Sequence, residues 1–222
     1  AGDGLSASIA RLFAREGGMR VALAARNSGK LAKLAQELSA CAIACDASNA
    51  AQVKAMFARA DEFFGAAPDV VVYNPSFRVR GSILELDPAA VAQALSITAF
   101  GGFLVAQQAA LRMVPRASGA ILFTGASASV KGYPLSAPFA MGKFALRGLA
   151  QSIARELAPK GIHVAHFVID GGIRGARHPQ APDAPDSTLD PDAIAQSYLH
   201  VLAQDRSAWT WEMELRPWVE KF

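Results

Sequence analysis

Short apolar runs alternate along this chain with longer segments in which apolar residues recur at helical spacing. The short runs lie at 20–25, 42–45, 70–73, 120–124 and 163–169, and each is typical of a buried strand. The longer segments lie at 6–16, 30–38, 50–64, 88–113 and 139–157, and each indicates a helix. Strands and helices in this alternation predict a doubly wound α/β fold, which is a parallel sheet with helices on both faces.

Local turn chemistry marks several element ends. Asp87 followed by Pro88 is typical of a helix N-cap with a first-turn proline. The glycine pair at 17–18 ends the first helix, and the stretch 159–161 ends the longest one. The stretch 174–191 is rich in Pro and Asp and predicts a loop or lid, whereas 208–215 alternates as a strand does.

Composition limits the classes of protein that fit this pattern. The 222 residues are 52% hydrophobic, which suits a single domain spanning 1–222. The net charge of +3 comes from scattered basic residues, so nucleic acid is not an expected partner. Gly and Gln interrupt the longest apolar stretches, which fall short of the ~20 residues of a membrane span. No segment has the pattern of a signal peptide, so we expect a cytoplasmic protein without a membrane partner.

Two cysteines, Cys41 and Cys45, lie close together around a predicted strand. No His or Cys cluster accompanies them in the sequence. We therefore interpret them as free thiols of a reducing compartment, in preference to a disulfide or a ligand pair, and predict no metal site.

A glycine-containing turn at Gly2, Asp3, Gly4 and Leu5 runs directly into the first predicted helix. Small residues let a phosphate approach the backbone, and a helix N-terminus offers free N–H groups to it. The same turn is equally compatible with a plain structural connection. The sequence alone therefore makes it a candidate phosphate site.

The next predicted strand ends in Ala25, Arg26 and Asn27. A site specific for NAD usually has an acid at this strand end, because a carboxylate binds the ribose hydroxyls. Ala25 leaves space there, and Arg26 offers charge-assisted hydrogen bonds to a 2′-phosphate. This favours NADP over NAD, the alternative being that Arg26 is a solvated surface residue.

Four short motifs, in order along the chain, resemble those of the short-chain dehydrogenase/reductase family. The run 4–6 resembles the end of the family's glycine-rich turn, and Cys45-Asp46-Ala47 resembles the acid that follows its third strand. Tyr73-Asn74-Pro75-Ser76 resembles the family's Asn-Asn-Ala-Gly turn, and Lys143 matches the lysine of its Tyr-x-x-x-Lys motif. The resemblance covers nearly the whole chain and implies a Rossmann-type fold.

The resemblance also implies roles for these residues. Asp46 and Ala47 are expected at the adenine, Asn74 and Pro75 under the cofactor, and Lys143 at the nicotinamide ribose. Two of these residues have plain structural alternatives, because Asp46 also suits a helix cap and Asn74 a turn. The implied cofactor site therefore consists of Gly2, Asp3, Gly4, Leu5, Arg26, Asn27, Asp46, Ala47, Asn74, Pro75, Lys143 and Gly171, the last following Asp170 where the family has Pro-Gly.

The resemblance fails at the central catalytic position. The family's tyrosine hydroxyl gives or takes the proton of a carbonyl or alcohol, but this chain has Phe139 there. Losing a positioned general acid typically costs about 10²- to 10⁴-fold in rate. The family's serine falls on Ala126, which leaves Ser127 and Ser129 as the nearest hydroxyls, and Thr98 stands about where the family has a relay asparagine.

Another proton source is conceivable in the adjacent loop. Tyr133 is able to swing towards the nicotinamide, and Ser127 or Ser129 is able to hold a water. Tyr133 is equally well explained as a loop anchor. The candidate catalytic residues are therefore Lys143, Ser127, Ser129 and Tyr133.

The leading hypothesis is an NADP(H)-dependent oxidoreductase that acts on an unidentified small carbonyl or alcohol. A pocket lined by Phe77, Tyr133 and Phe139 suits an apolar or aromatic substrate. The competing hypothesis is an inactive nucleotide-binding sensor or a structural subunit of an oligomer. The resemblance further implies a homodimer or homotetramer built on helix 139–157, and a first strand that would precede residue 1.

Overall fold

The computed structural model describes residues 2, 4–176 and 178–220. Its strands are all parallel and form two sheets, with the orders β1-β2 and β3-β4-β5-β6. The strands are β1 (Ala22–Ala25), β2 (Cys41–Ala44), β3 (Val70–Tyr73), β4 (Gly119–Thr124), β5 (Ile162–Ile169) and β6 (Glu212–Leu215). The helices are α1 (Leu5–Arg15), α2 (Ala32–Leu38), α3 (Ala50–Phe64), α4 (Pro88–Leu95), α5 (Gly101–Met113), α6 (Ala137–Leu157) and α7 (Pro191–Leu202).

Helices cover both faces of the four-stranded sheet, which confirms the predicted α/β architecture. Every residue of β5 is buried, as expected of a central parallel strand whose faces both pack against helices. One apolar cluster packs α3, α5 and α6 against one face, and includes Phe57, Leu104, Met113, Leu146 and Leu157. The other packs α1 and α7 against the opposite face, and includes Phe13, Phe167, Ile194, Tyr198 and Val201.

The carboxyl ends of the central strands lie at one edge of the sheet. Tyr73 at the end of β3 pairs with Phe123 of β4, and Thr124 pairs with Phe167 of β5. Ligands of doubly wound folds bind outside this edge. The turns that follow β3, β4 and β5 therefore hold the residues from which a site would be built.

The sequence predicts one regular helix over 88–113, but the structure has a π-helical segment within this run. A π-turn at Ser96–Phe100 separates α4 from α5. Two glycines follow it, and a Cβ on Gly101 or Gly102 would overlap the Tyr73 side chain or its neighbours. The Tyr73 hydroxyl donates a hydrogen bond to the Ile97 carbonyl within the π-turn. The buried tyrosine, which the local helical pattern does not reveal, explains the interruption.

The same helical run, Pro88–Arg116, is the one candidate membrane span by length and composition in the described part of the chain. Core helices of globular proteins meet the same criterion. Here Ala94, Leu104, Ala109 and Met113 are buried, and the last three pack within the α3-α5-α6 cluster.

Two further boundaries differ from the sequence prediction near the C-terminus. Helix α7 was not predicted, although Asp190 caps it and Pro191 begins it as Asp87 and Pro88 do for α4. The predicted strand over 208–215 is shortened to β6, since Arg206–Ala208 forms a 3₁₀ turn and Trp209 stacks on the His163 ring before the strand begins.

Candidate functional site

The N-terminus of α1 lies beside the end of β3. Gly4 is its N-cap residue, no side chain among the described residues caps it, and a Cβ added to Gly2 or Gly4 meets none of their atoms within 4 Å. The Asn74 side chain donates a 2.7 Å hydrogen bond to the Ser6 hydroxyl, and Leu5 is buried. First-turn N–H groups that face open space form a site for an anion. Asp3 lies outside the described residues.

Two candidate residues, Arg26 and Asn27, directly follow the end of β1. The Asn27 side-chain oxygen accepts a 3.0 Å hydrogen bond from the Gly29 N–H, so Asn27 orders the turn Ser28–Leu31. Arg26 is exposed and makes no hydrogen bond within the described residues. Arg26 is therefore free to bind an anion, whereas the Asn27 oxygen is already used.

Asp46 orders the turn after β2. One carboxylate oxygen accepts from the Ser48 hydroxyl at 2.7 Å and from the Ser48 N–H at 3.0 Å. These bonds, with a smaller contribution from Arg26, hold the pKa of Asp46 below its usual value. The N-cap of α3 is Asn49, so Asp46 shapes the turn before the helix and does not cap it. Ala47 follows at the same edge, and its carbonyl packs against Gly101.

Lys143 lies one helical turn after Phe139 on α6. Its side chain is buried, and its ammonium donates a 2.7 Å hydrogen bond to the Thr124 carbonyl at the end of β4. The nitrogen lies 5.9 Å from the centroid of the Phe139 ring. Burial lowers the pKa of Lys143 to about 8. The structure thus brings Lys143, Phe139 and the carboxyl end of β4 together.

The two candidate serines of the turn Ser127–Ser129 have different surroundings. Ser129 is fully buried, accepts a 3.1 Å hydrogen bond from the Ala126 N–H, and lies 3.4 Å from His166 Nε2. Gly125 permits this approach, because a Cβ there would overlap the His166 ring. Ser127 is partly exposed. Of the two, Ser127 alone has a side chain that solvent reaches.

His166 lies between Ser129 and Glu212 of the edge strand β6 and contacts both. Its Nδ1 lies 3.0 Å from Glu212 Oε2, and the Arg147 guanidinium donates a 2.6 Å bond to the same oxygen and a 2.7 Å bond to Oε1. Burial lowers the pKa of His166 to about 4, so the ring is neutral near pH 7. We assign its proton to Nδ1, which donates to Glu212 and leaves Nε2 to accept from the Ser129 hydroxyl. That hydroxyl is therefore already engaged by His166 and the Ala126 N–H.

Tyr133 lies in the loop between the serine turn and α6. Its side chain is 44% exposed, and within the described residues it makes no hydrogen bond to Lys143 and no ring contact with Phe139. Its closest charged neighbour is Lys131, whose pKa is raised mainly by a hydrogen bond to Asp170 and further by Tyr133. The 3.2 Å contact from Lys131 to the buried Asp170 links this loop to the end of β5.

Gly171 follows the carboxyl end of β5, directly after Asp170. Its φ of +149° is one that glycine tolerates, and a Cβ there would come within 2.8 Å of Leu189 and 3.0 Å of Pro217. The predicted loop 174–191 is closed at its base, since the Arg174 N–H donates to the Leu189 carbonyl at 2.8 Å and the Leu189 N–H to the Gly172 carbonyl at 2.9 Å. Gly171 thus joins the sheet edge to this loop.

Arg78 is a site residue that sequence reasoning missed. Its guanidinium carbon lies 5.2 Å from the centroid of the Phe139 ring. Pro75 and Phe77 lead to it from the end of β3, and both are half-buried. Its position could have indicated a site residue, because Arg78 lies four residues after Asn74 in the loop that follows β3.

The described residues contain no group of three His, Cys, Asp or Glu side chains able to hold a metal ion. Cys41 is half-buried and Cys45 is buried, and both are free thiols. Burial raises the pKa of the Cys45 thiol, with a smaller contribution from Asp46, so this sulfur is poorly suited to nucleophilic chemistry.

The family model of the short chain dehydrogenases matches residues 1–176. The chain belongs to the short-chain dehydrogenase/reductase family. An uncharacterized oxidoreductase of Staphylococcus aureus strain N315 is 27% identical to it over 226 residues, covering 98% of this chain and 94% of that protein.

Solved structures of short-chain dehydrogenases are similar over almost the same length. A short-chain dehydrogenase from Rhodopseudomonas palustris is 37% identical with a TM-score of 0.84, covering 98% of this chain and 95% of that one. An alcohol dehydrogenase from Thermococcus sibiricus, complexed with 5-hydroxy-NADP, is 24% identical with a TM-score of 0.87 over 98% and 94% of the two chains. The second likeness concerns the fold alone.

Proposed function

We propose that this protein is an NADP(H)-dependent oxidoreductase that interconverts a small carbonyl compound and its alcohol. The observation that carries the proposal is the N-terminus of α1, which no side chain of the described residues caps and which has open space at Gly4, beside Asn74 at the carboxyl edge of the sheet. Membership of the short-chain dehydrogenase/reductase family supports the reaction class.

The residues present fit a nicotinamide dinucleotide. The backbone at Gly2 and Gly4 would hold the pyrophosphate, because it presents N–H groups and leaves space for them to be reached. Arg26 would bind a 2′-phosphate, and the Thermococcus sibiricus enzyme was solved with an NADP derivative. Asp46, Ala47, Asn74, Pro75, Gly171 and Lys143 would complete the site by family resemblance. When bound, the cofactor supplies or accepts the hydride.

Phe139 occupies the position of the family's tyrosine in this proposal, one turn before Lys143. Its ring positions a substrate without exchanging a proton. Ser127 remains as the hydroxyl able to hold the substrate oxygen, because Ser129 donates to His166. Lys143 contributes positive charge near that oxygen, since a pKa of about 8 leaves it mostly protonated at pH 7.

The proton then comes from Tyr133 or from a water held by Ser127. Tyr133→Phe distinguishes the two: loss of about 10²-fold or more in kcat identifies Tyr133 as the acid. Unchanged kcat in Tyr133→Phe, together with loss in Ser127→Ala, assigns the proton to water. Pro134→Ala, at an exposed neighbouring position, is the control for disturbance of the loop.

Cofactor choice is tested by fluorescence titration with NADPH and with NADH. We expect NADPH to bind at least tenfold more tightly, and Arg26→Ser to remove that preference while leaving NADH unchanged. Lys30→Ser, an exposed cation on the following turn, is the matched control. Equal binding of the two cofactors by the native protein would contradict the assignment of Arg26, and binding of neither would contradict the proposed function.

A second function is favoured by one observation, the absence of a hydroxyl at Phe139. In this alternative the protein binds the nucleotide without turnover, as a sensor or a structural subunit. If Phe139→Tyr reduces a panel of aromatic ketones with NADPH while the native protein does not, the alternative is supported. Native turnover of any member of that panel supports the oxidoreductase.

Self-association is a further part of the proposal. Phe103, Leu111 and Phe144 on α5 and α6 are 41–63% exposed, and a surface groove of about 410 Å³ runs between these helices. The family resemblance makes a second copy the expected occupant of this face. Light scattering should show a dimer or tetramer that Leu111→Glu converts to monomer, whereas Lys54→Glu on α3 leaves it intact; a native monomer contradicts the proposal.

A further inference from the structure

The loop that carries Arg78 is fixed on both sides of this residue. The Phe77 N–H donates a 3.3 Å hydrogen bond to the Thr98 hydroxyl, which is buried in the π-turn. Beyond Arg78, the Gly81 N–H donates a 3.0 Å bond to the Leu135 carbonyl just before α6. These anchors hold Arg78 against the start of α6, where Phe139 lies.

The Arg78 guanidinium lies over the Phe139 ring without an ionic partner. The guanidinium carbon is 5.2 Å from the ring centroid, and within the described residues no carboxylate or carbonyl accepts a hydrogen bond from Arg78. The side chain is exposed. A guanidinium that rests on an aromatic face keeps its N–H fork available in its own plane.

Two lysines of this region are already engaged. Lys143 is buried and bonded to the Thr124 carbonyl, and Lys131 pairs with Asp170. Arg78 is therefore the cation beside Phe139 whose hydrogen-bonding capacity is unused among the described residues. The guanidinium is therefore available to an anionic ligand that lies beside the Phe139 ring.

We propose that Arg78 is the specificity residue for a carboxylate on the substrate. This inference rests on the proposed function and narrows its substrate to an aromatic or apolar carbonyl compound that carries a carboxylate. The carboxylate accepts two parallel hydrogen bonds from the Arg78 fork, a geometry that guanidinium and carboxylate share. The apolar body of the substrate packs on Phe77 and Phe139, which explains an aromatic surface beside an unpaired cation.

The test measures binding of benzoate and its uncharged analogue benzamide by calorimetry, with and without saturating NADP⁺. We expect benzoate to bind at least tenfold more tightly than benzamide, and Arg78→Met to abolish that difference. Arg80→Met is the matched control, because Arg80 is exposed two residues further on and should leave benzoate affinity within twofold. Equal affinities for the two probes in the native protein, or benzoate binding that survives Arg78→Met, would overturn the inference.

A second comparison fixes the class of anion and separates this inference from the proposed function. Phenyl phosphate that binds through Arg78 in place of benzoate overturns the carboxylate assignment. NADPH is titrated into the same samples. Benzoate binding that depends on Arg78 supports the inference even if NADPH fails to bind, whereas tight NADPH binding without benzoate binding overturns the inference and leaves the proposed function standing.

Discussion

Among the arginines that lie over aromatic rings, Arg147 and Arg78 differ in whether a carboxylate pairs with the guanidinium. Arg147 lies 5.6 Å from the Trp211 centroid, and its guanidinium makes two hydrogen bonds to Glu212. Arg78 lies 5.2 Å from the Phe139 centroid, and its guanidinium has no such partner among the described residues. The same aromatic contact thus belongs to a paired guanidinium at Arg147 and to an exposed guanidinium with no such partner at Arg78.

The difference separates groups that hold the fold from groups available to a ligand. The network from Ser129 through His166 and Glu212 to Arg147 pairs each polar side chain with the next. A buried network of this kind stabilises one arrangement, and breaking it leaves polar groups unpaired. Arg78 is exposed and lacks such a network among the described residues, so its substitution should affect ligands more than stability.

The largest expected effect follows from removing the centre of the network. Glu212→Ala leaves His166 Nδ1 and the Arg147 guanidinium without their acceptor, so we expect a loss of about 3 kcal/mol in the free energy of unfolding. Urea denaturation measures this change. Glu156→Ala, which removes an exposed i,i+4 pair with Lys160, is the control and should change stability by less than about 0.5 kcal/mol. Equal small effects would mean that the network does not stabilise the fold.

The next effect is a dependence of stability on pH. The pKa of His166 is lowered from 6.5 to about 4 by burial, against the opposing effect of Glu212, and Lys143 and Arg147 lower it further. Between these values the unfolded chain binds more protons than the folded one. Stability from this group is therefore present above pH 6.5 and is lost as the pH falls towards 4, by about 2 to 3 kcal/mol.

Comparison with His166→Gln isolates that contribution from other titrating groups. The stability difference between the native protein and the variant should shrink as the pH falls from 7 to 4, as measured by urea denaturation at each pH. His200→Gln, at an exposed position on α7, should show no such convergence. Parallel pH profiles for the native protein and His166→Gln would show that His166 titrates normally.

A smaller effect distinguishes the two serines. Ser129→Ala leaves the Ala126 N–H and His166 Nε2 without a partner, which should cost about 1 to 2 kcal/mol of stability. Ser127→Ala should cost less than about 0.5 kcal/mol, while lowering turnover of a ketone substrate by 10²-fold or more. Thermal unfolding and NADPH oxidation measure the two properties, and a reversed pattern would exchange the roles of the serines.

The smallest effect on stability is expected for a substitution of Arg78. Arg78→Met retains an apolar contact with Phe139 and removes an exposed charge, so the free energy of unfolding should change by less than about 0.5 kcal/mol. Arg147→Met should cost more than about 1 kcal/mol, because it leaves the half-buried Glu212 unpaired. Similar costs for both would remove the distinction between the two arginines.

The sequence predicts the elements of the fold well because buried parallel strands and amphipathic helices have distinct periods. The end of β3 at Tyr73 and the start of α3 at Ala50 agree with the sequence prediction. The π-turn at Ser96–Phe100 was not predicted, since it depends on a tyrosine more than twenty residues away. Helix α7 was missed although its Asp190 cap resembled that of α4.

Prediction of the candidate site was less complete for a related reason. Motif order selected Asn74 and Lys143, and the structure places Asn74 beside the start of α1 and Lys143 beside the end of β4. Ser129 contacts His166 because β4 pairs with β5. His166 contacts Glu212 because β5 pairs with β6. Contacts across strands depend on register, which a local pattern in a single sequence does not specify.

The hollow around Tyr73 bears on attempts to redesign this protein. Its ring and hydroxyl occupy the space that Gly101 and Gly102 leave open, and the hydroxyl binds the Ile97 carbonyl of the π-turn. Replacing Tyr73 alone by the asparagine of the family's turn would create a cavity and leave the Ile97 carbonyl without its hydrogen-bond donor. An engineer who transplants the family's catalytic residues into this scaffold must therefore exchange the strand end and the helix segment as one block.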